Sequence, residues 1–173
     1  MPVMQVMPAT PDDADAIAHV SIRGWQAAYK GLMPADHLAG LSVERRSATW
    51  RQAISSGRDR ILVARADVGG VFGFSCCAAA RDEDTPPGAA ELLALYLDPA
   101  AWRQGHGRQL WQASRDDMVA RQFKAMTVWV LAANTRAIAF YQAVGFVIEP
   151  GRVKTRVVGG APIDEQRLQQ ALD

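Results

Sequence analysis

The segment LDPAAWRQGHGRQL, residues 97–110, sets Gly105 and Gly107 on either side of His106, with Gln104 before them and Arg103 and Arg108 as flanking charges. Glycines leave the backbone N–H groups of a turn bare, and a turn that opens a helix aims unsatisfied N–H groups and the positive dipole end at one point. That arrangement suits a phosphate, to which the two arginines add charge-assisted contacts. A tight strand-to-helix connection uses the same glycines with no ligand, so the turn alone leaves both readings open. No Gly-Lys-Ser/Thr follows, which excludes a P-loop, and the third glycine of a dinucleotide fingerprint is missing. A pyrophosphate held without such a unit points to coenzyme A. A second chemical candidate is Glu91, a carboxylate opening the apolar run ELLALYLD. It is either a group with a task or a solvated strand start after PPGAA.

The elements that must position these residues follow from periodicity and punctuation. Residues 3–7 alternate as a first strand. TPDDADAIAHV opens a helix with Thr10 as N-cap, Pro11 in the first turn and Asp12 and Asp13 at the positive end. It runs to about Tyr29, where Lys30 and Gly31 stop it. Helical patterning resumes over residues 35–53. RILVARA and VFGFSCCAAA read as strands joined by a DVGG turn, and RDEDTPPG as a polar loop expected to be mobile. AELLALYLD and KAMTVWVLAA are nearly continuous in apolar residues, as strands covered on both faces are. Helices over about 107–122 and 134–144 follow them. Residues 146–149 read as a strand, while PIDEQRLQQAL fits a strand or a helix. The result is one mixed α/β (α+β) domain over residues 1–173, a central sheet flanked by helices.

Composition narrows the function classes. The 173 residues carry a net charge of +1, with 49% hydrophobic and 21% charged residues, as one globular domain does. Near-zero charge and the lack of a basic stripe argue against nucleic acid, and no apolar run reaches a membrane span. The adjacent Cys76 and Cys77 point to opposite faces of a strand and read as reduced thiols, so a cytoplasmic protein is expected. His19, His37 and His106 are scattered without metal-ligand spacing, and no metal is expected.

NTRAIAFYQAVGF, residues 134–146, together with LDPAAWRQGHGRQL, closely resembles the GNAT superfamily of acetyl-CoA-dependent N-acetyltransferases, small bacterial type. The matching positions are Gly105 and Gly107 in the first motif, and Asn134, Ala137, Phe140, Tyr141, Gly145 and Phe146 in the second. Trp102 stands where glutamine or arginine is usual, and Arg103 where glycine often is. The resemblance implies acetyl-CoA in a splayed gap between the strands ending near Leu97 and Ala132. Backbone of Leu95, Tyr96 and Leu97 then pairs with the pantetheine, the turn at 103–108 holds the pyrophosphate, and Asn134 bonds the pantetheine arm.

The implied chemistry is direct attack of a neutral amine on the thioester, with a small molecule or a peptide as acceptor. The backbone amide near Leu97 is the expected oxyanion donor and Tyr141 the acid beside the sulfur. Glu91 matches the position where the histone-acetylating branch keeps its base, with Tyr29, Asp36 and water as alternatives. The stretch from Ile22 to Trp50 resembles the front segment of such proteins, which makes Trp25, Tyr29 and Met33 either acceptor-wall residues or core packing. A homodimer is plausible in this family. A non-catalytic acyl-CoA sensor or scaffold is the alternative, against which the retention of both Asn134 and Tyr141 argues.

Overall fold

A computed structural model describes residues 3–173. In chain order the elements are β1 (Met4–Pro8), α1 (Ala14–Ala28), α2 (Ala35–Ala39), α3 (Val43–Ser56), β2 (Arg60–Ala66), β3 (Val71–Ala79), β4 (Ala89–Leu97), α4 (His106–Ala120), β5 (Ala125–Leu131), α5 (Thr135–Ala143), β6 (Val147–Val158) and β7 (Ala161–Ala171). The strands form a seven-stranded sheet in the order β1-β2-β3-β4-β5-β7-β6. Only β4 and β5 pair in parallel; the other neighbours are antiparallel. No helix among the described residues is long and apolar enough to cross a membrane.

Helices cover both faces, which is why β4 and β5 are mostly apolar, with Glu91 and Thr127 as their buried polar residues. Trp111 and Met118 of α4 and Tyr141 of α5 pack with Met126, Val128 and Leu168 on one face. On the other, Ile17 and Val20 of α1 pack on Val63, Phe74 and Ala94, with Trp50 of α3 against them. Tyr29, Met33 and Leu38 form a third cluster with Leu131, Val158 and Ile163.

Two elements differ from the sequence reading, and an alternative it left open at the C-terminus resolves as a strand. The helix expected over 35–53 is two helices, because Gly40 closes α2 and Ser42 starts α3 by accepting the Arg45 N–H. The C-terminal segment is a strand along its whole length, in register with β5 from Ala125↔Ala171 to Leu131↔Glu165. Its helical period is overridden by that ladder. The strand expected over 146–149 continues to Val158, because a register shift between Ile148 and Val153 absorbs Pro150 and Gly151. Gly159 and Gly160, at φ +57° and +81°, then make the hairpin turn.

The polar loop after β3 is also tied down. Arg167 of β7, its side chain 3% exposed, reaches Asp82, Asp84 and Glu149. Asp82 accepts the Trp129 indole N–H at 2.8 Å as well. These carboxylates hold the Arg167 guanidinium charged, raising its pKa above the usual arginine range.

Candidate active site

β4 and β5 stay paired only from Ala89↔Ala125 to Leu92↔Val128, and then part. A bulge in β4 accompanies the parting: Cys76 faces Ala94 and Cys77 faces Leu92, which leaves Leu93 without a partner on β3. The gap opens into a cavity of about 510 Å³ lined by residues 92–97 of β4 and 128–130 of β5. Successive amides of a strand point to opposite sides. Asp98 N–H donates to Phe72 O on β3, so the amides of Leu97 and Leu95 turn to the open side. The Leu97 carbonyl on that side already accepts the Trp102 indole N–H at 3.1 Å.

At one end of the cavity lies the Gly-x-Gly turn, where Arg103, Gly105, Gly107 and Arg108 are all lining residues. Arg103 at φ +60° and Gly105 at φ +83° bend the chain into the start of α4. Gly105 caps α4 without a side chain, so the first amides of that helix have no intrahelical acceptor. A Cβ on Gly107 would stand 3.3 Å from Phe140 Cε2 and 3.7 Å from Leu97 Cδ1, which explains why the helix approaches α5 and β4 so closely here. Gln104 and His106, expected at the phosphate turn, are not lining residues of this cavity. Their side chains line a separate hollow with Phe72 and Asp98, and the His106 ring packs edge-on to Phe72 at 5.1 Å.

α5 supplies the other wall. Asn134 caps it by accepting the Ala137 N–H at 3.2 Å, which orients the side chain and leaves its amide NH₂ uncommitted. Tyr141 is buried between Phe140 and Phe146, and no hydrogen bond among the described residues engages its hydroxyl. Burial, followed by the neighbouring Tyr96 and Cys77, pushes its pKa above the usual phenol value. The chain has three tyrosines, and all three line the cavity. The Tyr29 and Tyr96 hydroxyls meet at 3.0 Å, and burial raises both pKa values.

The structure does not bring every expected site residue to the cavity. Glu91 lies off the wall, 4% exposed, with its carboxylate 2.7 Å from Arg81 Nη2. Trp25 and Met33 are not lining residues; they pack with the third core cluster, and Tyr29 is the one of the three that reaches the cavity. Conversely, the sequence reading passed over Arg136. It lines the cavity with its guanidinium 3.9 Å above the Trp102 ring, adding a third cation beside Arg103 and Arg108. The signal was the Trp102 departure itself, since an aromatic beside a cationic turn invites stacking. Trp129, another wall residue, went unremarked because its run reads as plain core.

This joins a phosphate-suited turn, an open strand edge and a buried phenol in one cavity. The sequence model of the acetyltransferase (GNAT) family matches residues 25–146, which span the turn, both parted strands and α5. The chain belongs to the GNAT acetyltransferase family. Among GNAT relatives, the uncharacterized N-acetyltransferase YuaI of Bacillus subtilis strain 168 is 32% identical over 141 residues, 82% of this chain and 79% of its own length. The PaiA N-acetyltransferase of Thermoplasma acidophilum in complex with coenzyme A superposes with a TM-score of 0.78 at 19% identity, covering 98% of this chain and 99% of that one. YncA of Salmonella typhimurium, with its cofactor acetyl-CoA, superposes with a TM-score of 0.73 at 22% identity, over 99% and 95% of the two chains. At these identities the two structures speak for a shared GNAT fold.

Proposed function

We propose that this acetyltransferase moves the acetyl group of acetyl-CoA to the nitrogen of an amine by direct attack through a tetrahedral intermediate. The observation that carries the proposal is that one cavity is lined by the Gly105–Gly107 turn, the open edge of β4 and Tyr141 together. The free amides at the start of α4 and the cations Arg103, Arg108 and Arg136 suit a pyrophosphate. Both backbone groups of Leu95 offer strand-like pairing to the pantetheine, and the Asn134 NH₂ adds a donor.

The Leu97 amide serves as oxyanion donor. Tyr141 stays protonated far above neutral pH because it is buried. Full transfer of its proton to a thiolate of ordinary pKa, about 8.5, is therefore uphill. The phenol assists instead as a hydrogen-bond donor to the sulfur while the C–S bond breaks. The proton shed by the amine leaves through water, since no carboxylate or imidazole is among the lining residues. The acceptor must then arrive neutral or lose its proton to solvent before attack.

The experiment is thiol release from acetyl-CoA with and without a panel of amines. Amine-dependent release with an acetylated amine as product supports transfer. Tight acyl-CoA binding with no amine-dependent release replaces it with the sensor or scaffold reading.

A further inference from the structure

Trp102, which replaces the glutamine or arginine usual at its position, has both its N–H and its ring face engaged. Asp98 accepts the Ala100 N–H at 3.0 Å and starts the single helical turn Pro99–Ala101, which brings Trp102 back over the end of β4. There Trp102 Nε1 donates to Leu97 O at 3.1 Å, and the ring packs against the Ala64, Leu97 and Leu110 cluster. The Arg136 guanidinium lies 3.9 Å over that same ring. Trp102 and Arg136 both line the cavity, as do Arg103, Gly105, Gly107 and Arg108 of the turn.

Arg136 is the second residue of α5, at the positive end of that helix, and no acidic residue shares the first turn with it. A cation in that place is unfavourable unless an anion accompanies it. No carboxylate among the described residues pairs with Arg136, and none lines the cavity. A planar guanidinium resting on an aromatic face keeps its N–H groups along the edge, free for a phosphate oxygen. Trp102 is itself tied to the last carbonyl of β4, so one side chain fixes this cation relative to the open strand.

We propose that Trp102 is a positioning residue for donor binding: it holds the Arg136 guanidinium at the turn, where Arg136 bonds a pyrophosphate oxygen of the donor. This rests on acetyl-CoA as the donor and assigns a clasp between two elements, the approach to α4 and the start of α5, that closes on its pyrophosphate. The pyrophosphate is favoured over the 3′-phosphate of the same molecule because Trp102 immediately precedes the turn whose free amides suit it.

The test combines calorimetry on CoA and dephospho-CoA with kcat/KM for acetyl-CoA and acetylpantetheine on an accepted amine. Dephospho-CoA lacks only the 3′-phosphate, whereas acetylpantetheine lacks the pyrophosphate altogether. Arg136→Gln should weaken CoA and dephospho-CoA by the same factor, about ten-fold, and cut the preference for acetyl-CoA over acetylpantetheine to match. Trp102→Leu should do likewise, and Trp102→Phe, which keeps a ring without the anchoring N–H, should recover part of that loss. The Trp102→Leu/Arg136→Gln double variant should lose little more than Arg136→Gln alone, because the tryptophan acts through the arginine. Unchanged CoA affinity in Arg136→Gln, or a loss with CoA that is absent with dephospho-CoA, overturns the pyrophosphate contact. Strictly additive losses, or equal losses with acetyl-CoA and acetylpantetheine, overturn the positioning role and leave Trp102 as packing. Arg136 is exposed, so its glutamine variant decides the contact even where Trp102→Leu fails to fold, and Trp102→Phe then completes the cycle. Wild-type protein that binds no CoA would instead remove the donor reading itself, and the calorimetric arms report on that with no amine present.

Discussion

The hydroxyls of Tyr29 and Tyr96 lie 3.0 Å apart, joining the end of α1 to β4 at the mouth of the parted strands. The contact exists because the bulge at Leu93 changes the parity of β4. Upstream of it, Ala90 and Leu92 face the α4–α5 core; downstream, Ala94 and Tyr96 face α1.

That pair, with Tyr141, sets the alkaline behaviour of the protein. Burial raises all three phenol pKa values in the folded state. In the unfolded chain they ionise near pH 10. Their contribution to stability is therefore complete below about pH 10 and is lost as pH rises beyond it. Tyrosinate absorbance should appear only together with loss of tertiary circular dichroism. A tyrosinate signal with a midpoint at or below pH 10 in folded protein would contradict the burial argument.

Gly107→Val places carbon against Phe140 and Leu97, the two groups closest to the missing Cβ. The start of α4 must move, and the free amides with it. CoA affinity should fall at least about ten-fold, the loss expected when one or two charge-assisted hydrogen bonds of about 1.5–3 kcal/mol are misplaced. Calorimetric affinity equal to wild type would detach the turn from phosphate binding.

Glu91 tests where the acceptor's proton goes. Its carboxylate is 5% exposed while the paired Arg81 side chain is 70% exposed. Arg81→Ala leaves a buried charge with weakened compensation and should lower stability by about 1–3 kcal/mol, read from denaturant midpoints. Glu91→Gln should leave the acidic limb of the kcat/KM profile in place, because water takes the proton in this account. A flattened acidic limb with unchanged CoA affinity would make Glu91 the base.

The sequence reading was strongest where glycine and caps dictate geometry. Gly105, Gly107, Asn134 and Gly145 mark the ends of α4 and α5 by local chemistry, and the doubly apolar β4 and β5 announce a covered sheet. It was weakest where one residue changes parity over distance. Nothing local in ELLALYLD reveals a bulge at Leu93, so Tyr96 was read for its backbone and its phenol went unseen. Arg81, which engages Glu91, comes from a loop whose charges looked solvated. Arg167 made the same loop ordered through Asp82 and Asp84, more than eighty residues away. Arg46 and Ser21 meet only once α1 and α3 pack.

The central claim, that the cavity positions a thioester for transfer beside a protonated phenol, is tested most directly by the single-turnover rate of Tyr141→Phe with acetyl-CoA and an accepted amine. Phenylalanine keeps the ring among Phe140, Phe146 and Val128 and removes only the donor. Loss of one hydrogen bond to a developing thiolate, about 1.5–3 kcal/mol, corresponds to a rate lower by about 10- to 100-fold. The rate should fall by that factor with CoA affinity within two-fold of wild type, and the deficit should shrink with a thioester whose thiolate leaves more readily. A Tyr141→Phe protein that transfers acetyl at the wild-type single-turnover rate would contradict the account.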